Sequence, residues 1–108
     1  MKTSELVKLI PAEGIVVIEF PDIGGPYRSP GDVVDLVTTD DTIIEADYPR
    51  NEVPVDQFKE MLLGQPQDGQ VQVYLDDPHF GPAAYYAVPK VRLHRRGIAL
   101  LAGEVIAT

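Results

Sequence analysis

The chain has 108 residues, 44% of them hydrophobic and 24% charged, no cysteine, and a formal net charge of −8. That length fits one β-rich domain over residues 1–108, large enough to hold a core without a disulfide or metal staple. The acidity excludes general nucleic-acid binding and adsorption to anionic membranes, and the missing cysteine excludes a thiol nucleophile and a Cys-type zinc site.

Ser4 or Thr3 is placed to cap a short helix over Glu5 to Ile10, stopped by Pro11, although the same residues also suit an edge strand. Residues 15–20, Ile-Val-Val-Ile-Glu-Phe, are β-branched and almost wholly apolar, the pattern of a buried central strand. Residues 21–32 carry three prolines and three glycines, which reads as a loop. Val33 to Thr38 and Thr42 to Asp47 then form a hairpin around Thr39-Asp40-Asp41.

The clearest helix follows. Phe58, Met61 and Leu62 share one face, Asp56 or Pro54 opens the helix, and Gly64 offers a left-handed stop. Val71, Val73 and Leu75 alternate with Gln72 and Tyr74, so one face of that strand is buried. Ala83 to Val88 is a further strand, in which the adjacent Tyr85 and Tyr86 face opposite ways, one into the core and one to the surface. Pro89 marks an edge or a break. Val91 and Leu93 alternate with Lys90, Arg92 and His94. Arg95-Arg96-Gly97 turns the chain, and Ile98 to Ala107 returns as one strand with a bulge at Gly103. The expected fold is mainly β, a small barrel or sandwich of six to seven short strands with one short inserted helix.

Charge placement is the most informative functional feature. Residues 32–60 hold nine acids against two bases, Arg50 and Lys59, whereas residues 90–108 hold four bases against one acid. On a strand, Lys90, Arg92 and His94 project from one face, Arg96 continues that strip if the turn permits, and Arg95 completes the basic hairpin 90–96. Asp40, Asp41, Glu45 and Asp47 head the acidic segment. Either the two regions face water or neutralise each other within one molecule, or the basic hairpin meets the acidic surface of a protein partner or of a second copy, giving a homo-oligomer. Tyr27 and Arg28, in the long Gly/Pro loop, are of the residue types that anchor interfaces. The expectation is therefore a non-enzymatic interaction or assembly module with no cofactor. Small bipolar β-rich proteins serve as assembly parts, for example in phage particles. Leu75-Asp76-Asp77-Pro78 and Arg95-Arg96-Gly97 loosely resemble fragments of phage head–tail joining proteins, a family the upstream chain does not follow.

Two other readings stand beside it. Carboxylates over the hairpin and helix suit an acidic inhibitor that mimics nucleic acid, although strand alternation lets only some of them share a surface. Asp76, Asp77 and His79 suit a metal or general-base cluster, but one that needs distant carboxylates to complete it. Gly24 to Gly31 lacks the spacing of a phosphate loop, and Ser29 lacks a nucleophile-elbow pattern. No apolar run reaches the ~20 residues of a membrane span, and Leu6 to Ile10, interrupted by Lys8, does not read as a signal peptide. A cytoplasmic location, or one within a viral particle, is expected.

Overall fold

A computed structural model describes residues 1–23, 27–34, 40–48 and 52–108. Two helices, α1 (Thr3–Leu9) and α2 (Val55–Leu63), accompany nine strands. The strands are β1 (Ile15–Glu19), β2 (Ser29–Val34), β3 (Thr42–Asp47), β4 (Val53–Pro54), β5 (Val71–Leu75), β6 (Ala84–Ala87), β7 (Lys90–His94), β8 (Gly97–Leu101) and β9 (Val105–Ala107). They form a four-stranded sheet, β4-β1-β8-β7, and a five-stranded sheet, β2-β3-β5-β6-β9. The mainly β expectation holds in its sandwich form, since neither sheet closes into a barrel.

The core lies between the sheets and is sealed by the helices. Val16 and Ile18 of β1, Ile98 and Leu100 of β8, Ile44 of β3 and Val71, Val73 and Leu75 of β5 meet Leu6, Phe58 and Leu62 in one cluster. β1 is central, as its apolar run predicts, and it pairs parallel with β8 from Ile15↔Gly97 to Glu19↔Leu101. Gly97 adopts φ +152°, and a Cβ there would sit 2.1 Å from the Ile15 carbonyl oxygen, so glycine is required where the hairpin turn meets β1. α2 buries Phe58 and Leu62 as predicted, together with Val55, while Met61 of the predicted face is only partly buried against the core.

Several boundaries differ from the sequence reading. β2 begins at Ser29, inside the Pro/Gly-rich stretch read as a loop. It is an edge strand, where Pro30 forfeits no ladder bond, and the register shifts between Pro30 and Asp32 as a bulge absorbs Gly31. β2 does pair antiparallel with β3, but 35–39 and the glycines of 24–25 lie outside the described residues. α1 starts at Thr3 rather than Glu5, with the Lys2 backbone N–H donating to the Glu5 carboxylate. Pro54 occupies the position before α2, which leaves Asp56 in the first turn. Gly64 is not left-handed. It has φ −83°, and its N–H donates to the Met61 carbonyl, so the helix ends by tightening its last turn.

The final stretch is two strands, not one. After β6 the chain leaves the five-stranded sheet at Val88-Pro89 and forms the β7–β8 hairpin in the other sheet. Ala102-Gly103-Glu104 then carries it back as β9, with the Gly103 N–H donating to the Ala87 carbonyl at 2.7 Å.

Candidate functional site

The β7–β8 hairpin carries the basic strip. Register pairs run from Lys90↔Leu101 to His94↔Gly97. β7 is the last strand of its sheet, so among the described residues its outer side has no neighbouring strand. Strand alternation places Lys90, Arg92 and His94 on one face, as the sequence implies, and Val91 and Leu93 on the other. Val91 packs against the core, but Leu93 lies past its margin and is 79% exposed.

Two of the bases are matched within the molecule. Arg92 donates to both oxygens of Glu19, the closer at 2.5 Å, and Arg96 grips Glu52 bidentately at 2.6 and 2.7 Å. The Arg96 guanidinium is held more firmly protonated than usual, first by its hydrogen bonds to Glu52 and then by that carboxylate's charge. All four side chains remain partly in solvent, so these pairs contribute little stability. Their main effect is to cancel charge. Lys90 and Arg95 make no ion pair among the described residues. Tyr27 joins this surface, its ring 6.3 Å from that of His94.

Arg28 does not. Its side chain is 4% exposed and bonded to the Asp77 carboxylate at 3.1 Å, with the Tyr48 and Phe80 rings each 5.1 Å from the guanidinium carbon. The neighbour flagged with Tyr27 as an interface anchor is thus turned inward as a structural bolt. Asp77 also accepts from the His79 backbone N–H and the Tyr48 hydroxyl. The His79 bond, aided by Tyr48 and Arg28, holds the Asp77 carboxyl below its usual range despite burial. The Asp76–His79 loop is therefore organised around Arg28. Among the described residues no group of three or more histidines, aspartates and glutamates is placed to hold a metal ion.

The acidic residues divide. Asp41 accepts from the Gln70 backbone N–H and the Gln72 amide, joining β3 to β5. Asp40, exposed beside it, lies at the same end of the strand. Glu52 is held by Arg96, Asp56 accepts from the Gln57 backbone N–H, and Asp35 lies outside the described residues. Glu45 and Asp47 project from β3 on the side opposite core residue Ile44, and Asp32 stands across from Glu45. One register row then runs Asp32↔Glu45↔Tyr74↔Tyr85 over β2, β3, β5 and β6. The Tyr74 and Tyr85 rings are 4.9 Å apart. Partial burial, then the charges of Asp76, Tyr85 and Glu45, push the Tyr74 phenol above its ordinary value. Tyr86 packs against Phe20 in the core, so the two tyrosines do face opposite ways.

A cleft of about 470 Å³ opens between β2 and the start of α2, with Ser29, Asp47, Tyr48, Glu52 and Gln57 in its wall. The Ser29 hydroxyl is buried and has no hydrogen-bond partner among the described residues.

The sequence signalled the bases and the acids but not the Tyr74–Tyr85 pair as part of one surface with Glu45. The signal was present in the alternation of β5 and β6; what it lacked was the register that aligns them with β3. No helix among the described residues is long and apolar enough to cross a membrane. The chain matches no family model, and no curated protein or solved structure is detectably similar to it.

Proposed function

We propose that this chain is a non-enzymatic interaction module that self-associates through the open edge of the β7–β8 hairpin. The observation that carries the reading is Leu93, 79% exposed on an edge strand whose hairpin also carries Lys90 and Arg95, which have no ion-pair partner among the described residues. Sheet edges are ordinarily guarded by charge. Here Glu19 and Glu52 cancel two of the arginines, leaving on the hairpin an exposed apolar side chain on one face of β7, Lys90 on the other, and Arg95 at the turn. An apolar anchor with a charged rim is how a protein interface is commonly built, and the rim steers encounter and sets register. A cytoplasmic or virus-particle assembly is the setting that suits such a unit.

Light scattering at low and high salt tests this. Wild-type protein is expected to form a species larger than one chain that dissociates in high salt. Leu93→Asp with Lys90→Glu and Arg95→Glu should abolish it while the melting temperature stays near wild type. Arg92 and Arg96 are left alone because reversing them would break Glu19 and Glu52 contacts inside the fold. A wild-type monomer at every concentration, or an unchanged assembly in the triple variant, would overturn the reading.

A further inference from the structure

We infer that the surface receiving the hairpin is the outer face of the five-stranded sheet on a second copy, centred on Glu45, Tyr74 and Tyr85. The inference rests on the proposed role of the hairpin and adds the other half of the contact.

Four observations support that occupant. The face is acidic where the hairpin is basic: Asp32 and Glu45 are exposed neighbours across β2 and β3. It is aromatic where the hairpin is apolar, with the paired Tyr74 and Tyr85 rings partly exposed beside Glu45. The acids here form no ion pair among the described residues, as Lys90 and Arg95 do not. A cation over a tyrosine ring next to a carboxylate gains both cation–π and Coulomb attraction, and Leu93 gains ring surface to cover.

The fourth observation is placement. The core lies between the sheets, so the Glu45–Tyr85 row points away from the sheet that contains β7. One molecule cannot fold its hairpin onto its own outer face, and its donor and acceptor surfaces are different patches. Such a contact is heterologous, so copies join head to tail and close into a ring or extend as a chain. Pairing β7 with β7 of another copy would instead bring Lys90 and Arg95 of both together, a like-charge arrangement that costs affinity.

The test is a complementary charge swap followed by sedimentation velocity. One variant carries Asp32→Lys and Glu45→Lys on the acceptor face; the other carries Lys90→Glu and Arg95→Glu on the hairpin. Each alone should associate on the order of tenfold more weakly than wild type or worse. Mixed in equal amounts they should assemble again, because each offers the surface the other now matches. A milder variant, Asp32→Asn with Glu45→Gln, controls for folding and should weaken association with an unchanged thermal melt. If the hairpin variant dissociates while both acceptor variants assemble as wild type does, the acceptor is elsewhere and the hairpin reading stands. If neither surface matters, both fall. An assembly that stops at two copies would also overturn the head-to-tail contact.

Discussion

Leu93 and Leu100 lie on the two strands of one hairpin and share a side-chain type, yet one is 79% exposed and the other fully buried. Cutting each to alanine therefore separates what holds the fold from what is presented outward. Leucine to alanine removes three carbon groups, worth about 0.8 kcal/mol each when buried, or roughly 2.4 kcal/mol of transfer free energy. At Leu100 the surrounding β1 and core residues cannot collapse fully, and the residual cavity raises the total to about 3–5 kcal/mol. For a domain of this size that lowers the melting temperature by on the order of 10–20 °C. At Leu93 only about a fifth of the side chain is covered, so the same substitution costs roughly 0.5 kcal/mol and the melt scarcely moves. Circular-dichroism melts of the two variants at low concentration, where any assembly has dissociated, give the comparison. Equal shifts would refute the placement of Leu93 outside the core. A large Leu93 shift that appears only at high concentration would support its role in association.

Two further outcomes follow from the same framework. Asp77→Asn should lower the melting temperature by several degrees near neutral pH, because it breaks the buried Arg28–Asp77 ion pair. The folded-state carboxyl lies below its unfolded value, so its contribution is present above the unfolded pKa of about 3.9 and is lost as pH falls through the folded pKa. Wild type and variant should therefore converge in acid, and a constant gap across the titration would contradict the Arg28–Asp77 bolt. Gly97→Ala forces a Cβ against the Ile15 carbonyl at a positive φ, so a loss of about 2–4 kcal/mol in urea unfolding is expected, and a neutral result would mean the β1–β8 register is wrong.

How much of this was legible from the residues depended on whether the deciding contact was local. β5 was plain because its period of two needs only its own side chains, and α2 because Phe58 and Leu62 are four apart. The start of β2 was hidden, because Pro30 is tolerable only at an edge, and edges exist only once a sheet is assembled. Arg28 misled for the same reason. An arginine in a Pro/Gly loop reads as exposed, and its burial depends on Asp77 and Phe80, about fifty residues away. Leu93 alternates with Val91 like any buried pair, and nothing in that alternation says where the core ends. The charge asymmetry was legible, but its division into Arg92 and Arg96, matched inside the molecule, and Lys90 and Arg95, left over, was not.

The hairpin is rooted where the chain changes sheets twice, with Pro89 and Gly103 in close contact at the crossing. Its return strand runs alongside β1 in a five-pair parallel ladder. Tension applied to the hairpin along β8 would load those pairs together, in shear, rather than peel them apart one at a time. An assembly pulling on this element would be pulling against the central strand of the fold, a mechanically strong way to attach a small domain to its neighbours.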